Sequence, residues 1–343
     1  MTPPRRRLRA AGSVSVVGAL AAGAVLLAGC GSNGSDVQDP STGTSTSTSS
    51  PSGSPSTSPS PTAQPVGFMA LTGQGVMDAA LLRRTAVAVV VSLTPGHPVS
   101  GVSTADLVYV EFDRTKHARL VAVYQSADAT DVGPVAATSP VDPHLLTLFG
   151  SPAYAFAGGP TGFVSQAKVP AVSPRDAAGS SRALFHAGAG GLVVSTSALR
   201  ATLRSGAPPM AGVLTFASAV AAAPNGATLS HVVVRVPGQD PMTFTWTSGA
   251  WTGPAGSRLA NLVVQYVPYK NLTPHKSGTV HSAIVVGHGA AKVIAGQHGV
   301  TATWSRQYPG IVTVYASGPR PVGLLPGRTW VLLVPSGTTV TTS

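Results

Sequence analysis

Three acids and one arginine stand close enough along this chain to do chemistry together. Asp106, Glu111 and Asp113 precede Arg119, and Glu111 is the sole glutamate in 343 residues. On an extended strand Glu111 and Asp113 share a face, because side chains alternate with a period of two. Paired carboxylates are the material of glycoside hydrolysis, which needs them ~5–5.5 Å apart for retention and ~6.5–9.5 Å for inversion. Arg114, Lys116 and Arg119 interleave with these acids. The competing expectation is therefore a salt-linked strand end, with Arg119 paired to Asp106 or Asp113. Tyr109 completes this polar segment. With only 11 acids in the whole chain, the salt-linked role is favoured and no catalytic residue is assigned.

Other chemistries find less support. Asp142, Asp176 and Asp240, with nine His and abundant Ser, supply the parts of a hydrolytic triad. No Gly-x-Ser-x-Gly elbow is present to hold a serine on a strained turn. His275, His281, His288 and His298 are spaced 6, 7 and 10 apart, and none forms an i,i+4 helical pair, so no metal is expected. A strand follows Gly188–Gly191 where a dinucleotide loop needs a helix, and Gly287–Lys292 lacks the P-loop ending. No cofactor is expected, and no zinc finger or basic helix points to nucleic acid. Cys30 is the lone cysteine, which excludes an intrachain disulfide framework.

These side chains must be positioned by strands. Ala86–Leu93 (AVAVVVSL) is a continuous β-branched run of the kind buried on both faces of a sheet. Asp106–Phe112, Arg119–Gln125 and Ala153–Ala157 read as further strands, while Pro143–Phe149 and Ser195–Ser205 read as helices. Beyond Pro208-Pro209, short β-rich runs alternate with Gly, Pro and Asn turns. They are His231–Pro237, Met242–Trp246, Leu262–Tyr269, Ser282–Val286, Ala291–Ala295, Val300–Trp304, Val312–Ala316 and Thr329–Val334. The fold class expected is α+β: a mixed α/β domain over residues 66–207, then a β-rich domain over 208–343.

The first 65 residues are set apart by composition. Arg5, Arg6, Arg7 and Arg9 precede an uncharged run from Ala11 to Ala28, which ends Leu27-Ala28-Gly29-Cys30. This resembles the lipobox of bacterial lipoproteins, and that resemblance implies a signal peptide over 1–29 and lipidation of Cys30. An uncleaved transmembrane helix is the alternative. Of the 35 residues Gly31–Pro65, 28 are Ser, Thr, Pro or Gly, so a disordered tether is expected over 30–65. The expected location is outside the cytoplasm, on the membrane. Four positives of the formal +11 lie in the leader, leaving +7. Such a balance suits an anionic cell-wall polymer or an envelope protein as partner.

Several segments carry a family resemblance. Leu71-Thr72-Gly73, the AVAVVVSL strand, Pro98-Val-Ser-Gly101 through Ala105-Asp106-Leu-Val-Tyr109, Arg119–Ser126, Gly133-Pro134-Val135 and Ala157-Gly158-Gly159 resemble the YerB-like lipoprotein family, a domain of unknown function. Thr303-Trp304-Ser305 and Leu325-Pro326-Gly327-Arg328-Thr329-Trp330 continue the resemblance. Where the family carries acids, glycines, a threonine, two arginines and a histidine, this chain has Val110, Arg114, Thr115-Lys116, Ala118, Ala136, Ser139 and Phe156. The resemblance implies fold and placement in the envelope, with binding or scaffolding as the expected role. A cell-wall polymer hydrolase or transferase is the alternative.

Overall fold

Alternation of buried side chains explains the frame. In the computed structural model, which describes residues 64–112, 117–167, 171–217, 228–273 and 279–343, the AVAVVVSL run forms β1 (Val87–Leu93). The next strands are β2 (Leu107–Phe112), β3 (Ala118–Tyr124), β4 (Ala153–Phe156) and β5 (Ser173–Asp176). Past residue 208 come β6 (Asn261–Tyr266), β7 (Gly287–Ala295), β8 (His298–Arg306), β9 (Val314–Ser317), β10 (Arg320–Pro321) and β11 (Thr329–Val334). All eleven join one sheet in the order β10-β9-β8-β7-β6-β11-β2-β3-β1-β4-β5.

Odd and even residues of the central strands feed different layers. Val87, Val89 and Val91 of β1, Val108 and Val110 of β2, and Trp330 and Leu332 of β11 point to one buried cluster. A second sheet closes that side, built from Arg258–Leu259, Ala250–Thr252, Met242–Thr247, His231–Arg235 and Thr339–Thr342. Its Phe244 meets Trp330 edge-on, ring centres 6.0 Å apart. Val90, Leu107, Val121, Val263, Val331 and Leu333 point the other way, against Leu145, Leu146 and Phe149. Burial on both faces is the reason these strands read as unbroken apolar runs.

Helices are brief: α1 (Ala79–Leu82), α2 (Asp142–Leu146), α3 (Thr161–Gln166) and α4 (Thr196–Ala201). The first half therefore carries less helix than the expected mixed α/β domain, and the described chain is mostly strand. Pieces this short cannot sustain themselves in water and depend on tertiary contacts and caps. Ser195 caps the N-terminus of α4, its Oγ accepting from Ala198 N. Thr202 ends it early, its Oγ1 donating to the Leu199 carbonyl at 2.6 Å.

The sheet also crosses the expected boundary at 207/208. β11 lies parallel to β6 on one side and parallel to β2 on the other, with Val331 opposite Tyr109 and Leu333 opposite Glu111. Residues from both halves of the chain thus line one continuous surface. Among the described residues, no helix is long and apolar enough to cross a membrane.

Candidate functional site

Strand register decides which polar residues meet. Tyr109 and Glu111 are two apart on β2, so both project to the face covered by α2, and Arg119 on β3 stands directly opposite Glu111. Arg119 Nη2 donates to Glu111 Oε2 at 2.5 Å and to Asp142 Oδ1 at 2.6 Å, while its Nη1 donates to Asp142 Oδ2 at 2.9 Å. The expected pairing of Arg119 with Asp106 is thus corrected: the partners seen among the described residues are Glu111 and Asp142. Asp113, like Arg114 and Lys116, lies outside the described residues, as do Leu27, Ala28, Gly29 and Cys30.

Both carboxylates are closed in by further donors. Glu111 Oε1 accepts from Ala283 N at 2.9 Å, Ser282 Oγ at 3.1 Å and Ser139 Oγ at 3.4 Å. Asp142 Oδ2 accepts from Ser139 N at 2.8 Å and from the Tyr154 hydroxyl, whose oxygen lies 2.7 Å from Thr138 Oγ1. Burial works against the Arg119 charge, but Asp142 and then Glu111 outweigh it and hold the guanidinium protonated. Burial, reinforced by Asp142, pushes the Tyr154 phenol well above its ordinary range. This is a knot: two acids, one cation, and a donor on every carboxylate oxygen.

Asp106 lies at a different place from that cluster. Its Oδ2 accepts from Gln125 N at 2.6 Å and Ser126 N at 2.7 Å, and its Oδ1 from the Ser126 hydroxyl. Burial raises its pKa despite those bonds. Its own carbonyl accepts from Thr329 N. Asp106 therefore ties the end of β3 to the start of β11, which is a structural task.

Tyr109 faces a second group of polar residues instead. It lines a cleft with Arg306, Thr313 and Tyr315. Arg306 is buried, and its Nη2 donates to the carbonyls of His144 and Pro309. Tyr315 donates to Gln265 Oε1 at 2.7 Å. Arg306 escaped the sequence reading, although a signal existed. On β8 the buried positions alternate through Ala302, Trp304 and Arg306, so an arginine occupies a core position of the strand. His275 lies outside the described residues, and the other candidate histidines do not converge. His281 stacks on Tyr269 with ring centres 5.0 Å apart, and among the described residues no three His, Cys, Asp or Glu come together.

The motif segments hold one another. Gly101 has φ +75°, and a Cβ there would sit 2.4 Å from the Asp131 carbonyl oxygen, so only glycine fits. Its own carbonyl accepts from the Tyr124 hydroxyl at 3.1 Å. Gly327 N donates to the Thr72 carbonyl at 2.7 Å, joining Leu-Pro-Gly-Arg-Thr-Trp to Leu-Thr-Gly.

Comparison with known proteins agrees with this geometry. The family described as "Protein of unknown function (DUF3048) N-terminal domain" matches residues 71–200, and its C-terminal domain matches residues 253–331. Among solved structures, that of the YerB protein from Bacillus subtilis is similar at a TM-score of 0.65 and 17% identity, over 80% of this chain and 99% of that one. No curated protein matches the chain. The two matched ranges include β2, the start of β11 and both ends of the Thr72–Gly327 contact, through which the halves join, and the chain belongs to the YerB-like DUF3048 family.

Proposed function

We propose that this protein is a membrane-anchored, extracytoplasmic lipoprotein that acts by binding or scaffolding in the cell envelope. The observation that carries the binding role is the closure of the Glu111–Arg119–Asp142 knot. The chain's sole glutamate accepts from four donors and Asp142 from three groups. A general acid or base must reach a proton on a substrate, and every oxygen of these buried carboxylates already accepts at least one internal hydrogen bond. What supports the anchor is the Leu27-Ala28-Gly29-Cys30 sequence after a basic and then apolar leader. Two or three acyl chains anchor far more firmly than one. The Ser/Thr/Pro-rich segment that follows gives the folded region reach from the membrane, and the +7 balance suits anionic wall polymer or an acidic envelope protein.

The test has two arms. Residues 66–343 are incubated with purified peptidoglycan, anionic wall polysaccharide and membrane extract, and retention is measured against salt. Retention that falls as salt rises supports the reading, since exposed charges are screened over ~8 Å at physiological ionic strength. Release of soluble fragments from any polymer instead identifies a hydrolase. Separately, a lipid analogue fed to cells should label the wild-type chain and leave Cys30→Ser unlabelled.

A further inference from the structure

Arg306 is a buried cation without a buried anion. It is 4% exposed, yet among the described residues no carboxylate pairs with it. Its Nη2 is spent on the carbonyls of His144 and Pro309. Its Nε is sealed from solvent with no partner, Nη1 makes no hydrogen bond among the described residues, and the residue lines the cleft. The Tyr109 hydroxyl makes none either, although it lines the same cleft. Burial of an uncompensated charge is costly, and an unsatisfied donor of this kind calls for an explanation such as an ion.

The surroundings describe what is missing. Burial pushes the Tyr109 phenol up to about 12 and raises Tyr315 as well, so both stay protonated. Tyr315 is already committed to Gln265, which leaves the Tyr109 and Thr313 hydroxyls as the neutral donors of the cleft. Leu145 and Leu148 make the wall apolar. The enclosed part of the cleft is only about 20 Å³, room for about one water-sized group such as a carboxylate oxygen, and the rest of a ligand would lie at its open mouth. One cation, one phenol, apolar walls and a narrow floor fit a planar monoanion better than a tetrahedral dianion.

We propose that this cleft binds a carboxylate, with Arg306 Nη1 and the Tyr109 hydroxyl as donors and the apolar part of the ligand against Leu145 and Leu148. The carboxylate belongs to a free small acid or to the end of a peptide chain. This proposal does not depend on where the protein resides.

Equilibrium dialysis tests it on the full chain in detergent micelles at constant ionic strength. The probes are radiolabelled propionate, N-acetyl-alanyl-alanine, the C-terminal amide of that peptide, and inorganic phosphate. Saturable binding of at least one acid is expected, with the amide and phosphate at least about tenfold weaker, as for loss of a charge-assisted contact. Arg306→Gln should abolish binding. Because Arg306 also holds two carbonyls, Tyr109→Phe serves as the second variant. It removes no internal hydrogen bond and should weaken binding by about three- to tenfold. Preference for propionate identifies a free acid, and preference for the peptide identifies a chain end. The proposal is overturned if neither acid saturates, if phosphate or the amide binds as well as the acids, or if Tyr109→Phe in a folded protein binds as wild type does.

Discussion

Two polar groups lie on the same face of one sheet, each bonded to α2, and they are built to opposite rules. Around Arg119, two carboxylates, two serine hydroxyls, two backbone amides and a tyrosine give every carboxylate oxygen a partner. Around Arg306, two carbonyls are satisfied and the remaining donors have no partner. Residue type does not separate these groups, since each holds an arginine and at least one tyrosine. The state of their hydrogen bonds does. A saturated cluster fixes geometry, and an unsaturated one has capacity left for a ligand. The two share a helix: Asp142 begins α2 and accepts from Arg119, while the His144 carbonyl accepts from Arg306. α2 is thus held at two points by arginines with different duties.

The largest effect expected is from Arg119→Met. It leaves Glu111 and Asp142 buried without their cation, and breaking a buried pair on one side costs about 3–5 kcal/mol. Urea unfolding measures the loss; a change under about 1 kcal/mol would show that the knot is not what holds α2. Glu111→Gln comes next. It keeps shape but sets an amide donor among donors, for a loss of about 1–3 kcal/mol. Ligand retention by the folded variant should be unchanged. Lost retention with an unchanged melting temperature would move this carboxylate into a working site. Arg306→Met should then contrast with Arg119→Met. It removes a lone buried charge, which offsets part of the cost of freeing the His144 and Pro309 carbonyls, so the loss should be about 1–2 kcal/mol, well below that at Arg119. Equal losses at both arginines would erase the distinction between the two groups.

The smallest effect is a pH slope at Asp106, which is closed by hydrogen bonds with no ion pair. Its folded-state pKa is raised above 3.8, burial being the main cause. The folded state therefore binds the proton more tightly, and the contribution is present in full below pH 3.8 and lost as pH rises through the folded pKa. The melting-temperature difference between wild type and Asp106→Asn should shrink across that acid window and stay level above it. A difference that grows with pH would mean that the Ser126 and Gln125 bonds dominate over burial.

Much of the frame could be read from the sequence because its physics is local. A β-branched run such as Ala86–Leu93 has few alternatives to a buried strand, and β1, β2, β3, β4 and β11 fall within one residue of the expected limits. Short helices were overread, because Leu199 and Leu203 make a helical spacing whatever ends the helix. Partnership was the illegible part. Asp142 is 23 residues from Arg119 and Ser282 is 171 residues from Glu111, distances across which a single sequence carries no register. Nor did anything local show that Thr329–Val334 would lie between strands from both halves. Asp142 was visible only as a part for a hydrolytic triad, and Ser139 only as a departure from a family arginine, yet both stand in the knot. Arg306 could have been found, since its place in the alternation of β8 marks it as buried.

The place of β11 has a consequence for how the chain comes to be folded. Its partners β2 and β6 are made long before it, β2 by more than two hundred residues. Until Thr329–Val334 is available, both keep a bare apolar edge, the kind of template that invites pairing with other chains. Long-range parallel pairing is slow to form in any case. The last long strand is the keystone of the sheet, so a chain cut short before Thr329 loses more than its tail: it is left as two unfinished sheets with their edges open to aggregation.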